Sequence, residues 1–254
     1  MQGNRRTVTI LGILAAIVLF WMENPWFTPE QISGTVRTGA TIVFWVLFIA
    51  VVVLMFQERR DAGASEVQVE GPAFTRFLFS NTQAGLFWLP IRLFLGFSWI
   101  EASWHKISGT GWLDGGSALA GYWKGAVAIN PDTGKGSITF EWYRDFLNFL
   151  LQGHHEVWFA WLVAFGELAV GIGLVLGALT GVAAFFGCLM NMSFLLAGSA
   201  STNPIMFTLA VGLILAWKVA GYYGLDRYLL PILGTPWRRT TSASPTFGRA
   251  PAPG

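Results

Sequence analysis

The chain has 254 residues, of which 54% are hydrophobic and only 12% charged, with 16 Lys and Arg against 14 Asp and Glu. An ordinary soluble domain is about 25% charged, so this composition excludes a disordered, fibrous or nucleic-acid-binding chain, and a net charge of +2 carries no polyanion signal. The single cysteine, Cys188, excludes an internal disulfide, CxxC redox chemistry and an all-cysteine metal or iron–sulfur site.

Thirteen Trp and 21 Phe on this background predict an all-α, polytopic transmembrane protein. A helix needs about 20 mostly apolar residues to cross ~30 Å of hydrocarbon. The first predicted span is 8–22, extended by Trp26 and Phe27 at the interface. Arg5 and Arg6 before it also fit a secretory signal, but Trp21-Met-Glu-Asn-Pro-Trp-Phe27 offers no small-x-small cleavage site, so it reads as a retained helix. The second, 38–57, is uncharged throughout, and the third, 84–105, is interrupted by Arg92 and Glu101. No charge lies between Glu167 and Lys218, and Gly and Pro punctuation divides that stretch into spans at 157–178, 181–199 and 205–222. The total is six.

Lys and Arg orient the spans. With the N-terminus cytoplasmic, nine basic residues fall on the cytoplasmic side and five on the other, which places both termini in the cytoplasm. The expected organisation is two N-terminal helices and a cytoplasmic linker over 1–76, a four-helix core over 77–235, and a disordered cytoplasmic tail over 236–254. An extracytoplasmic loop, 106–156, joins spans three and four. Within it, Phe140, Tyr143, Phe146, Leu147, Leu150 and Leu151 recur at helical spacing, which predicts an amphipathic helix over 137–152 on the membrane surface or capping the bundle.

Charges inside spans are costly and take partners. Lys218, one turn from the cytoplasmic end, reads as snorkelling. Arg92 and Glu167 are expected at similar depth on antiparallel spans and predict an ion pair, either a lock between helices or a substrate site. Glu101 and His105 share a face at four-residue spacing. With Lys106 and the surrounding Trp99, Trp104 and Trp112 they read either as an interfacial belt or as a proton-transfer pair. His105 with His154 or His155 could in principle ligate a metal or a b-type haem, but nothing else in the chain supports it and no metal site is expected; Asn191 reads as an interhelical hydrogen-bonding amide. The chain has no GxGxxG, phosphate loop, HExxH or GxSxG motif, which excludes the common nucleotide enzymes and hydrolases.

Pro90-Ile-Arg-Leu-Phe-Leu-Gly96 with Trp99-Ile-Glu-Ala-Ser-Trp-His-Lys106 resembles the first core helix of DoxX/DoxD-type membrane proteins. The segment from Gly166-Glu167 through Gly177-Ala-Leu-Thr-Gly181, then Asn191-Met-Ser-Phe-Leu-Leu-Ala-Gly198 and Gly221-Tyr-Tyr-Gly-Leu-Asp-Arg-Tyr228, extends the resemblance to about 84–230. It implies a four-helix bundle to which the first two spans are an addition. It further implies a multi-pass subunit of the cell (inner) membrane, like the large subunit of a thiosulfate:quinone oxidoreductase, with membrane quinone as electron acceptor.

On that implication Arg92, Lys106 and Arg144, with His105, would bind the sulfur anion. Trp99 and Trp104 would contact the quinone ring. Glu101, His105 and Glu167 would be the catalytic proton-handling groups. The expected partners are the lipid bilayer, the quinone, and other subunits or a second copy of the chain; nucleic acid is not among them. The alternative expectation is a non-catalytic integral subunit that anchors or stabilises a larger membrane redox complex. A third, a small-molecule transporter, would need a water-accessible path past the midplane charges.

Overall fold

The long charge-poor runs become helices. A computed structural model of the chain describes residues 2–23, 34–61 and 71–237, and within these the protein is all-α, with no strand. It divides into two compact units, Met1–Glu70 and Gly71–Gly254. In the first, α1 (Gln2–Glu23) packs on α2 (Gly34–Asp61). The expected linker over 62–70, the interfacial Trp26-Phe27 and the tail from 238 onward lie outside the described residues.

The second unit contains α3 (Ala73–Ser80), a 3-10 turn (Thr82–Ala84), α4 (Gly85–Ser108), α5 (Ser117–Val127), α6 (Glu141–Gln152), α7 (Glu156–Leu176), α8 (Thr180–Leu196), α9 (Asn203–Leu215) and α10 (Asp226–Ile232). Helix α4 packs on α7, α7 on α8, α8 on α9, and α9 back on α4. Small residues set the closest of these approaches. A Cβ on Gly96 would lie 2.7 Å from Val175 and 3.1 Å from the Gly171 carbonyl; one on Gly171 would lie 2.6 Å from Ile100 and 2.8 Å from the Gly96 carbonyl. Backbone meets backbone there, the device by which helices associate without large side chains between them. One side chain adds a polar stitch: Ser103 Oγ donates to the Ala164 carbonyl at 2.9 Å. Leu95, Trp99, Leu174, Ala184 and Leu213 fill the core behind these contacts.

The segment between α4 and α7 is more than the expected loop with one surface helix. It carries both α5 and α6, and these build a second core from Leu119, Trp123, Tyr143, Leu147, Leu150 and Ala160. Helix α6 is amphipathic as expected and buries Tyr143, Leu147 and Leu150. Phe146, assigned to the same face, is 42% exposed.

The turn between α7 and α8 is closed from a distance. Helix α7 ends at Gly177 (φ +63), with the Ala178 N–H donating to the Gly173 carbonyl, a Schellman-type end. Leu179 then also takes a left-handed conformation, φ +49. The N-terminus of α8 has no cap from its own sequence. Asp226 supplies it: its carboxylate accepts from the N–H of Leu179 at 2.6 Å and of Thr180 at 2.9 Å.

Among the described residues, one helix, Glu156–Leu176, is long and apolar enough to cross a membrane. Helix α4 has the length, but Arg92, Glu101 and Lys106 lower its apolarity. Helices α8 and α9 are apolar but short, 17 and 13 residues, or about 26 and 20 Å at ~1.5 Å per residue. The run expected at 205–222 is helical only to Leu215 and continues as consecutive turns through Leu225.

Candidate functional site

The bundle holds one buried ion pair among the described residues. Lys106, in the last turn of α4, places Nζ 2.8 Å from Glu167 Oε2; the Glu167 side chain is 1% exposed and that of Lys106 16%. The ammonium also donates to the Ala102 carbonyl at 3.3 Å and stands 5.1 Å from the Trp112 ring centre. The lysine therefore turns back along its own helix, covered by an indole face. Two opposite charges held this far from water are favourable only as a pair, because removing either leaves the other uncompensated.

Arg92 and Glu167 do not pair. Ser103 meets Ala164, and Gly96 lies between Gly171 and Val175. This crossing register sets Arg92 level with residues 176–177, about nine residues and ~13 Å beyond Glu167. Arg92, 2% exposed, donates instead to the carbonyls of Ala220 at 3.4 Å and Tyr223 at 3.2 Å. Its guanidinium packs against Gly177 and Gly224, where any Cβ would collide with it. Its partners are the carbonyls of a turn, and its role is to hold that turn against the end of α7.

The other expected site residues separate rather than converge. Glu101 and His105 are both exposed, with no ion pair or hydrogen bond between them among the described residues. Trp104 is 64% exposed, whereas Trp99 is 2% exposed and fixed in the core, so the two indoles do not frame one ring slot. Arg144 donates to the Ile138 carbonyl at 2.7 Å and braces the chain leading into α6. Of the expected anion-binding set, Lys106 is thus neutralised inside the bundle, Arg144 is tied to its own segment, and His105 faces outward. His154 Nδ1 lies 3.5 Å from Glu156 Oε1, and His155 Nδ1 accepts from Trp158 Nε1. Among the described residues no three His, Cys, Asp or Glu side chains gather as metal ligands.

Two further buried polar groups, one on α4 and one on α8, lie in the interior. The Trp99 indole N–H has no hydrogen-bond partner and faces Gly187, where a Cβ would lie 3.0 Å from it. Asn191, one turn further along α8, is fully buried with both amide atoms unpartnered. Asn191 thus makes no interhelical hydrogen bond, contrary to the expectation for it. The packing of Val170 on Gly187 and of Gly166 on Met190 brings Glu167 and Asn191 to adjacent levels of the α7–α8 hairpin. Sequence reasoning missed Asp226. The signal for Asp226 was a carboxylate closing the Gly-rich run Gly221-Tyr-Tyr-Gly-Leu-Asp226. No family model, curated protein or solved structure matches the chain.

Proposed function

We propose that the chain is a six-span integral membrane subunit of a quinone-linked oxidoreductase, with both termini cytoplasmic and the DoxX/DoxD-like core over α4–α9. In this reading α5 and α6 form an extracytoplasmic cap, and a sulfur anion such as thiosulfate is the electron donor on that side. The buried Lys106–Glu167 pair carries the reading. Two-electron reduction of a quinone takes up two protons, and an ionisable pair inside an apolar bundle is the kind of group that exchanges them. The 24-residue α4 supports the topology, since about 36 Å of helix is long enough to span the hydrocarbon, with Arg92 and Lys106 turned inward.

The test is thiosulfate-dependent reduction of a quinone analogue by the full-length protein in proteoliposomes, alone and with any co-purifying subunit. Glu167→Gln is expected to lower turnover by about two orders of magnitude, the usual scale of a lost acid–base group, with the helical content retained. Undiminished turnover in that variant would remove Glu167 from the reaction.

The second reading is a non-catalytic integral subunit that anchors a larger redox complex. It is favoured by the exposed, mutually unpaired Glu101 and His105 beside the exposed Trp104 on α4. Such a stretch suits a partner helix better than a reaction centre. Substituting all three residues is then expected to release the partner subunits while leaving the fold intact.

A further inference from the structure

The buried face of α8 carries Ala184, Gly187 and Asn191, spaced three and four residues apart. The Trp99 indole of α4 lies against it: a Cβ on Gly187 would stand 3.0 Å from Trp99 Nε1 and 3.4 Å from its Cε2. Asn191 follows one turn later. Cβ positions four apart on a helix are about 5–6 Å from one another, and helical side chains lean toward the N-terminus of their helix. The Asn191 amide therefore leans back over Gly187, toward the indole N–H. Trp99 is 2% exposed and Asn191 0%. Neither the indole N–H nor either amide atom bonds to a protein group, and they do not bond to each other.

Trp88 shows the ordinary solution for a buried indole on the same helix. Its Nε1 donates to the Leu78 carbonyl at 2.8 Å. Trp99 and Asn191 have no such carbonyl, although buried donors and acceptors are as a rule satisfied by protein or by bound water. Two groups within one turn that do not bond directly suit one small bridging molecule, whose two hydrogen bonds reach about 5–6 Å. Its chemistry is set by the groups it meets. It must accept from the Trp99 N–H, and it must complement an amide that offers both donors and an acceptor. A metal cation cannot accept, and an anion without a proton cannot donate. The nearest buried charge on α7, Glu167, is already matched by Lys106, so no further charge is called for. A neutral molecule that both donates and accepts, and that fits between packed helices, is water.

We propose that an ordered water molecule is bound between α4 and α8, accepting from the Trp99 indole N–H and bonded to the Asn191 amide. The site is defined by these two side chains and by the small residue between them, Gly187, independently of the redox reading.

The experiment uses the full chain in nanodiscs, with isotope-labelled tryptophan on a deuterated background. The Trp99 indole resonance is assigned by its loss in Trp99→Phe. Cross-relaxation between that N–H and water is then measured in the laboratory and rotating frames; opposite signs mark a long-lived contact rather than proton exchange. Trp99 is expected to show the contact, and Trp88, whose N–H is engaged by Leu78, is expected to show none. Asn191→Leu, similar in size but without polar atoms, is expected to abolish the contact at Trp99. Gly125→Ala on α5, with nothing within 4 Å of the new methyl, is expected to keep it. A second readout needs no variant: a high-resolution experimental map of the unaltered chain is expected to show a density peak within hydrogen-bond distance of both Trp99 Nε1 and the Asn191 amide. A direct Trp99–Asn191 hydrogen bond in that map, a contact from the Trp99 N–H to lipid chains instead of water, or a water contact that survives Asn191→Leu would overturn the proposal. A bound water without thiosulfate-dependent quinone reduction would remove the redox reading and leave this one standing.

Discussion

Lys106 and Glu167 meet at 2.8 Å although Lys106 lies in the last turn of α4 and Glu167 in the middle of α7. The long lysine stem makes up the difference, folding inward past Ala102 beneath Trp112. A surface cation is thereby converted into the partner of an interior carboxylate.

That conversion has an energetic signature. Lys106→Met or Glu167→Leu alone is expected to destabilise the protein by about 3–5 kcal/mol, since each strands a buried charge. The double variant is expected to recover most of the loss, because two apolar side chains then face each other. Thermal unfolding of the four proteins in one detergent provides the double-mutant cycle. Additive losses in the double variant would show that the pair is not coupled.

Gly96 and Gly171 set the distance between α4 and α7. Gly171→Ala places a methyl 2.8 Å from the Gly96 carbonyl and 2.9 Å from the Ile100 backbone N, neither of which can retreat without moving the helix. The expected loss is about 1–3 kcal/mol. Gly121→Ala on α5 meets nothing within 4 Å and is expected to stabilise by about 0.5–1 kcal/mol through the entropy of the unfolded chain. Both follow from melting temperatures measured side by side.

How far the sequence foretold these features depended on the range of the interaction. Helix α7 was legible because Glu167 is followed by an unbroken apolar run, and α6 because its aromatic and leucine residues recur at helical spacing. Helix α5 was not, because Gly121 and Gly125 leave little pattern to read. The Arg92–Glu167 pairing failed for a geometric reason: depth was counted from each helix end, whereas Gly96 and Gly171 fix the crossing register and separate the two charges by more than two turns. The capping role of Asp226 was invisible for a related one. Its partners lie 46 and 47 residues away, beyond any local pattern.

Asp226→Ala is expected to cost about 1–3 kcal/mol, the penalty of leaving buried donors unpaired at a helix start. Asp226→Asn, which keeps one accepting oxygen, is expected to lose roughly half of that, since the two N–H groups now share one acceptor. Chemical denaturation with helical content as the readout separates the two variants. Equal losses would indicate that the charge matters more than the cap.

Tyr143 gives a prediction in pH. Burial, with Tyr122 nearby, pushes its pKa from its ordinary value of 10.0 up to about 12. The folded protein thus holds this proton more tightly than the unfolded chain does. The resulting stabilisation is fully present below pH 10, declines as the unfolded chain ionises, and is lost as pH rises through about 12. Tyr143→Phe is expected to flatten that decline and to remove one late-titrating phenol from the absorbance titration near 295 nm. A Tyr143 that ionises with the exposed phenols would contradict the buried environment.

The Asp226 cap also imposes an order of assembly. The donors at Leu179 and Thr180 leave the ribosome 47 and 46 residues before their acceptor. Throughout that interval the α7–α8 hairpin has its helices but no latch, and Leu179 has nothing to hold its left-handed backbone. The hairpin is completed only when the turn after α9 arrives with Asp226. A chain cut short between Tyr223 and Asp226 would carry every buried group of the candidate site and still lack the closure that keeps α7 and α8 in register.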